Sequence, residues 1–318
     1  MRLQNIPGRL LREVRMALTP VVAMTIPDDV EAPAASERFT TVTCSTLPEF
    51  QEFASANVEL LARRQHFETA LADTGRAFWL EGYCVVCKAR TRFLVDYLHS
   101  DGLTPNWRER LECRRCRLAN RVRAMYDALE SAQYCSPDAE IYVTEQATPF
   151  YRVLSQRYAR VTGSEFLRDG TQRGKRNARG IRHEDLTRLT LADASIDAIC
   201  TTDVLEHIPN YGQALTECAR CLKPGGSLFI TVPFRVHSQE TLVRARAPAG
   251  GPVEHLMPPE YHEDPLDPRG VLCYYHFGWD LLDALRASGF SQAAIHFYWS
   301  VRRGYLGGLQ YYIKARRE

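Results

Sequence analysis

Short apolar runs alternate with helical patterns along the chain from about residue 138 onward. The runs at 141–143, 196–201 and 227–232 have the length of buried strands, and segments with apolar residues at helical spacing separate them. This alternation is typical of β-α-β units, which place parallel strands side by side under packed helices. The sequence therefore predicts an α/β fold with an open, mostly parallel sheet and helices on both of its faces.

Two Cys-x-x-Cys pairs precede this region. Cys84 and Cys87 form the first pair, Cys113 and Cys116 form the second, and 25 residues lie between the pairs. A two-residue gap lets both thiolates of a pair turn toward one ion, so two pairs can supply the four ligands of a tetrahedral Zn²⁺ site. Such a site has no open position for water, and we therefore expect a structural zinc in a small module. Redox disulfides are the alternative.

A third pair with the same spacing has a different setting. Cys218 and Cys221 lie in a predicted helix, on the same face as the apolar Ala214, Leu215 and Leu222. We expect these two cysteines to be core thiols.

The composition is that of a globular protein and indicates no charged partner. Of the 318 residues, 45% are hydrophobic and 25% are charged, and the net charge is only +2. The sequence lacks an apolar stretch of bilayer-spanning length and the features of a secretory signal. These observations predict a cytoplasmic protein without membrane contact, and they leave the oligomeric state open.

The segment around the paired cysteines is locally basic. Between residues 88 and 123 there are ten Lys or Arg residues and four acidic ones. Such an excess could dock a nucleic acid through its phosphates. The interpretation we favour is a solvated arginine-rich face that caps carboxylates of the neighbouring domain.

The sequence divides into three predicted parts. Residues 27–37 contain two prolines and few large apolar side chains, as a linker does. We expect 1–40 to form a poorly packed arm and linker, 41–137 a helical and Cys₄ zinc-ribbon-like module, and 138–318 the sheet domain. Within the sheet domain, 235–277 is predicted to be an insertion.

The most specific pattern lies between residues 196 and 233. A predicted strand is followed by Asp203-Val-Leu-Glu206-His207, then by a helix, and then by the turn Leu222-Lys-Pro-Gly-Gly before another strand. This arrangement resembles the central half of class I S-adenosylmethionine-dependent methyltransferases. The resemblance covers about 138–318 and implies a Rossmann-like fold, methyl-transfer activity and S-adenosylmethionine as cofactor.

The resemblance also implies which residues contact the adenine ring. Asp185 stands before the central predicted strand, where these enzymes place an acid that accepts the adenine amino group. The adjacent Leu186 would line the ring. Glu184 is the alternative acid, because it lies one position away.

The turn after the first strand of the sheet domain departs from the family's pattern. These enzymes have an acid followed by a glycine-rich loop, but residues 143–150 contain no glycine. Glu145 keeps the acid position and is expected to meet the cofactor's amino group. Glu165 follows it by 20 residues and is placed for the ribose hydroxyls, and Asp203 lies at the same crevice. A domain that no longer binds the cofactor is the alternative.

Methyl transfer from a sulfonium needs a positioned acceptor, and a base only where the acceptor must lose a proton. His207 is the candidate catalytic base, because it is placed at the crevice and its ordinary pKa is near neutrality. The 235–277 insertion is rich in His and Tyr and is expected to cover the substrate.

We expect a methyltransferase that acts on a small molecule or a biosynthetic intermediate. One alternative is an RNA methyltransferase that docks through the basic zinc module. Another is a non-catalytic binding or scaffold protein that keeps the methyltransferase fold.

Overall fold

The computed structural model describes residues 22–24, 40–72, 75–132, 136–248 and 251–318. The predicted N-terminal arm, 1–40, lies almost entirely outside the described residues. The α-helices are α1 (Leu47–Ala56), α2 (Val58–Ala72), α3 (Asn120–Ser131), α4 (Pro149–Arg157), α5 (Tyr211–Cys221) and α6 (Asp280–Ala287).

The strands lie in two larger sheets and three short antiparallel pairs. In chain order they are β1 (Val22–Met24), β2 (Thr40–Cys44), β3 (Phe78–Cys84), β4 (Ala89–Val95), β5 (Glu112–Cys113), β6 (Glu140–Val143), β7 (Arg160–Gly163), β8 (Ile196–Thr202), β9 (Leu222–Thr231), β10 (Leu242–Val243), β11 (Ala245–Arg246), β12 (Glu254–His255), β13 (Tyr261–His262), β14 (Val271–Leu272), β15 (Tyr275–His276), β16 (Phe290–Ser300) and β17 (Tyr305–Arg317).

A seven-stranded sheet forms the centre of the fold, in the order β2-β16-β17-β9-β8-β6-β7. The four strands β7, β6, β8 and β9 are parallel, whereas β17, β16 and β2 continue the sheet with antiparallel pairings. The prediction of an open α/β sheet is confirmed. Because the four parallel strands end at one edge, the polar residues that follow them are brought together there.

Helices cover both faces of this sheet. The helices α5 and α6 pack on one face, where Leu215, Cys218, Cys221 and Leu285 are buried. The helices α3 and α4 cover the other face through residues such as Met125 and Leu154. Cys218 and Cys221 are therefore core thiols, as their helical spacing predicts. No helix within the described ranges is both long enough and apolar enough to cross a membrane.

Strand β9 begins earlier than the sequence predicts. The helix α5 ends at Cys221, and Leu222 already pairs with Ile196 of β8. The next pairs join Ala198 with Ser227, so residues 223–226 bulge from β9, and Gly225 has a φ of +79°. The expected chain reversal is therefore a bulge at the start of the strand.

The smaller sheet has four strands in the order β1-β3-β4-β5. Its core includes Phe78, Leu80, Phe93 and Trp107. The strand β2 and the helix α3, which the sequence assigns to the N-terminal module, also pack with the large sheet. The reason is that β2 pairs with β16 and that α3 covers one face of the sheet.

A buried arginine joins the small sheet to the C-terminal hairpin. The guanidinium of Arg123 lies 4.0 Å from the ring centroid of Phe93 and donates hydrogen bonds to the carbonyl oxygens of Arg303 (2.6 Å) and Gly304 (2.7 Å). The backbone N–H of Tyr83 donates to the carbonyl of Arg302 at 2.8 Å. The hairpin β16–β17 therefore packs against the small sheet and accepts hydrogen bonds from its module.

Candidate functional site

A cavity of about 1740 Å³ opens at the carboxyl edge of the parallel strands. It brings together all six residues that the sequence predicts for the cofactor and the catalytic base: Glu145, Glu165, Asp185, Leu186, Asp203 and His207. Residues of the 235–277 insertion, including Glu260 and His262, also line it. A pocket for one small ligand usually measures about 300–1,000 Å³, so this cavity has room for two.

The glycine-free turn is held by a carboxylate. The backbone N–H groups of Gln146 and Ala147 both donate to Oε1 of Glu165, at 2.7 Å each. The hydroxyl of Thr148 then caps α4 by accepting from the N–H of Tyr151. The turn is therefore ordered by side-chain acceptors, and one oxygen of Glu165 is already engaged there.

Glu145 is a buried acid at this turn. Its Oε1 has no hydrogen-bond partner in the part of the chain that the structure describes. Burial raises the pKa of Glu145 to about 7, although the charge of Arg121 acts in the opposite direction. A buried oxygen without a donor is suited to a cationic ligand group.

We expect the Glu145→Gln variant to gain stability over the wild type as the pH rises from about 5 to about 8. The folded-state pKa lies above the unfolded value, so the native protein binds more protons in this window and wild-type stability falls as the pH rises. The gain in the free energy of unfolding should reach about 3 kcal/mol. Urea unfolding at several pH values measures it, with the exposed Glu59→Gln as control. A gain in stability that does not change with pH contradicts the raised pKa of Glu145.

The acids Glu184 and Asp185 have different surroundings. Glu184 is buried, forms an ion pair with Arg182 at 2.7 Å and accepts a hydrogen bond from the N–H of Thr190 at 3.0 Å. Asp185 is half-buried, and its Oδ1 accepts from the N–H of Thr187 at 2.9 Å and from the hydroxyl at 2.7 Å. Of the two acids, Asp185 is the one with an accessible side chain, and Leu186 lies buried next to it.

Asp203 is held by two arginines from the N-terminal module. Nη1 of Arg108 donates to Oδ2 of Asp203 at 2.8 Å, and Arg121 lies 3.2 Å from the same oxygen. Burial would raise the pKa of Asp203, but the charges of Arg108 and Arg121 outweigh it and hold this pKa well below its usual range. Glu109 pairs with Arg121 at 2.7 Å and balances the second guanidinium charge.

The backbone at Asp203 is unusual as well. Its φ is +52°, a left-handed conformation that few residues other than glycine adopt, and its N–H donates to Thr231 at 2.8 Å. Sequence reasoning did not place Arg108 or Arg121 at the site. Their signal was the local basic excess. The favoured interpretation gave the carboxylate partner, but it expected a solvated face, whereas the side chains of Arg108 and Arg121 are only 22% and 16% exposed.

His207 lies in a short 3₁₀ helix, Leu205–His207, directly after β8. Its Nδ1 is 2.8 Å from the carbonyl oxygen of Leu272. A carbonyl can only accept a hydrogen bond, so Nδ1 carries a proton. In the neutral ring the lone pair is then on Nε2. Nε2 lies 3.8 Å from Oε1 of the buried Glu206, and the ring of His262 lies edge-on to His207 at 4.8 Å. The sequence places Glu206 at this crevice together with Asp203 and His207, but it gives His262 only as one of the histidines of the 235–277 insertion.

The four cysteines of the two pairs form one cluster, in which every sulfur lies within 4.8 Å of the others. The Sγ atoms of Cys84 and Cys116 are 3.8 Å apart, as are those of Cys87 and Cys113. Thiolates around a tetrahedral zinc with bonds of about 2.3 Å lie about 3.8 Å apart, whereas disulfide sulfurs lie about 2.05 Å apart. The spacing therefore fits a tetrahedral metal site and does not fit disulfides.

The two cysteine pairs also share a backbone conformation. Lys88 and Arg117, which follow the second cysteine of each pair, have φ values of +49° and +65°. The N–H of Arg115 points to Sγ of Cys113 at 3.4 Å. Each pair is thus a tight turn that aims two sulfurs at the same point.

The sequence model of a family described as "Methyltransferase domain" matches residues 147–230. This segment contains β7, β8, most of β9 and the Asp203–His207 motif, whereas β6 and Glu145 precede it. Residues 147–230 are therefore similar to a methyltransferase domain.

Two curated relatives and one solved structure illustrate the similarity. A probable S-adenosylmethionine-dependent methyltransferase of Mycolicibacterium smegmatis is 41% identical over 56 residues, which are 18% of this chain and 22% of the relative. A ubiquinone biosynthesis O-methyltransferase of Idiomarina loihiensis is 32% identical over 85 residues, 24% of this chain and 35% of the relative. The chain thus covers only between about a fifth and a third of the length of these relatives.

A solved S-adenosylmethionine-dependent methyltransferase from Mesorhizobium loti is 17% identical, with a TM-score of 0.39. The comparison covers 61% of this chain and 98% of that one.

Proposed function

We propose that the protein is an S-adenosylmethionine-dependent methyltransferase that acts on a small molecule or a biosynthetic intermediate. The observation that carries this proposal is the cavity at the carboxyl edge of the parallel strands. It collects the six residues expected for the cofactor and the base, and five of them, all but Glu145, lie in the segment that matches the methyltransferase domain. Its volume suits a cofactor together with an acceptor of modest size.

In this proposal each site residue has a binding role. Asp185 accepts the adenine amino group beside Leu186, and Glu165 faces the ribose. The unpartnered Oε1 of Glu145 receives the ammonium of the methionine part, a fit supported by its burial. Asp203, neutralised by Arg108 and Arg121, shapes the wall between the cofactor and the acceptor.

S-adenosylmethionine supplies an electrophilic methyl group, and the protein's own contribution is mainly positioning. The donor and acceptor must be held in line, because the reaction is a displacement at carbon. Where the acceptor must lose a proton, Nε2 of His207 keeps a lone pair at the cavity wall and can take it.

Four of the ten basic residues between 88 and 123 are engaged within the protein, which favours a small acceptor over RNA at the cavity itself. Arg108 and Arg121 are engaged with Asp203, Arg110 pairs with Asp96, and Arg123 is fully buried. The other six are exposed and keep RNA docking as the second candidate: Lys88, Arg90, Arg92, Arg114, Arg115 and Arg117. A salt-dependent RNA-binding measurement tests this choice, and tight binding with a steep salt dependence would favour the RNA methyltransferase.

We also propose that the ion at Cys84, Cys87, Cys113 and Cys116 is a structural zinc. Four thiolates at tetrahedral spacing are a donor set that zinc prefers, and they leave no position for water or substrate. Its role is then to stabilise the small sheet.

Calorimetric titration with S-adenosylmethionine should show binding to the wild type and a roughly ten- to hundredfold weaker affinity for Asp185→Ala. The loss of a charge-assisted hydrogen bond typically costs about 1.5–3 kcal/mol. The exposed Asp283→Ala on α6 is the control and should bind like the wild type. Glu184→Gln should lower stability instead, because it breaks the buried pair with Arg182.

Two results would count against this scheme. Wild-type affinity in Asp185→Ala would remove the adenine assignment. A wild-type protein that does not bind S-adenosylmethionine would favour the non-catalytic alternative.

A further inference from the structure

Glu206 is a buried acid without a hydrogen-bonded partner. Its side chain is 0% exposed, and neither carboxylate oxygen has a hydrogen-bond partner within the described residues. A carboxylate removed from water without a donor costs several kcal/mol unless a cation or a proton compensates. Its surroundings therefore indicate which of these is present.

Two histidine nitrogens lie beside this carboxylate. Oε1 of Glu206 is 3.8 Å from Nε2 of His207 and 3.7 Å from Nδ1 of His262. All three candidate ligand atoms lie within 4.8 Å of one another. Oxygen and nitrogen ligands around a tetrahedral zinc, with bonds of about 2.0–2.2 Å, lie about 3.4 Å apart. The observed separations exceed hydrogen-bond range and come within a few tenths of an ångström of this value.

The far side of each imidazole is fixed by an acceptor. Nδ1 of His207 faces the carbonyl of Leu272 at 2.8 Å, and Nε2 of His262 faces Oε1 of Glu260 at 3.0 Å. Such outer hydrogen bonds orient metal-binding histidines, because they place the proton on the nitrogen that does not bind the metal. In the neutral rings, the lone pairs of Nε2 of His207 and Nδ1 of His262 then point toward Glu206.

We infer that Glu206, His207 and His262 form a second metal site, separate from the four cysteines. One oxygen and two imidazole nitrogens are a donor set for a divalent cation of the zinc class. Three protein ligands leave a fourth position, and His207 and His262 both line the cavity.

A competing triad shares one of these histidines. Glu260, His262 and Cys273 also have ligand atoms within 4.8 Å of one another. Oε1 of Glu260, however, lies 3.0 Å from both Nε2 of His262 and Nε2 of His276 and already serves as their acceptor. The Glu206 set is favoured because its carboxylate has no other partner.

The fourth position would hold water or an oxygen or nitrogen atom of the methyl acceptor, a consequence that rests on the proposed function. Bound there, a hydroxyl would lose its proton more readily. His207 would then act as a ligand, and the metal would take over the activation assigned to a base.

The test is the metal content of the full chain after saturation with Zn²⁺ and removal of excess metal. We expect two zinc ions per chain for the wild type and one for His262→Ala and for Glu206→Gln. His255→Ala, an exposed histidine in the same insertion, should keep two. With Co²⁺ as the probe, the ion lost in these variants should contribute no sulfur charge-transfer band, since its ligands are oxygen and nitrogen.

The Glu206→Gln variant also tests whether misfolding, and not the loss of a ligand, explains a lower zinc content. It keeps the shape of the side chain and removes a buried charge, so with metal removed by a chelator the variant should unfold at no lower temperature than the wild type treated in the same way. One zinc per chain in the wild type would overturn the inference and leave an ion-pair network. Loss of the second ion in Cys273→Ala would overturn the ligand assignment. Metal content is independent of methyl transfer, so failure here is distinguishable from failure to bind S-adenosylmethionine.

Discussion

The double variant Cys84→Ser, Cys87→Ser should lose the zinc bound by the four cysteines and should unfold at a much lower temperature than the wild type. The site closes the β3–β4 hairpin onto β5, whose own core is small. Structural zinc sites carry apparent binding energies of about 10–16 kcal/mol, and much of this is folding energy. We expect a fall in the midpoint of thermal unfolding on the order of 10 °C or more. Elemental analysis and calorimetry measure the two effects.

The matched control is Cys218→Ala, Cys221→Ala. These cysteines have the same spacing but lie on the buried face of α5 itself, so this variant should keep its zinc even if the core is weakened. The first double variant should also bind S-adenosylmethionine more weakly, because Arg108 and Arg121 belong to the same module. Full zinc content and full stability in Cys84→Ser, Cys87→Ser would show that the site is misassigned.

His207→Ala should lower the turnover by roughly 10²–10⁴ while the affinity for S-adenosylmethionine changes little. Removing a group that acts on the acceptor slows the chemical step but leaves the affinity for the cofactor unchanged. The side chain lies at the cavity wall with Nδ1 against the carbonyl of Leu272 and Nε2 outside that contact, a geometry that suits either a base or a metal ligand. Single-turnover kinetics with an identified acceptor, together with calorimetry for the cofactor, make the comparison.

Metal content separates the two roles of His207. A base can be removed without changing the zinc content, whereas a ligand cannot. His255→Ala provides the activity control. A parallel fall of affinity and turnover would mean that His207 only shapes the cavity, and an unchanged turnover would exclude both roles.

The parts of the fold that follow local rules were predictable from sequence. The parallel strands and helices keep their predicted order because each carries its own apolar period, as at Ile141–Val143. The four-cysteine cluster was predictable because a two-residue gap fixes each pair. The start of β9 was not, since pairing with β8 overrides the turn preference of Lys223–Gly226.

Interactions between distant segments could not be read from the sequence. Arg108 and Asp203 are 95 positions apart, and only the docking of the small sheet brings them together. His262 looked like one of several insertion histidines, and its position beside Glu206 depends on how the short strands β13 and β14 fold back. By contrast, Glu145 and Glu165 directly follow β6 and β7, so the topology alone places them at one edge.

The buried guanidinium of Arg123 has a consequence for the order in which the molecule can be completed. During synthesis the small sheet and its cysteines leave the ribosome well before residues 302–304, whose carbonyls receive Arg123 and the N–H of Tyr83. Within the nascent module this arginine has the carbonyl of Leu111, at 3.2 Å, as an acceptor, and it gains the other two only when the final hairpin arrives. A chain that stops before this hairpin would keep its cysteines and leave that charge with the ring of Phe93 and one carbonyl. Premature termination near the C-terminus should therefore damage the part of the protein that was made first.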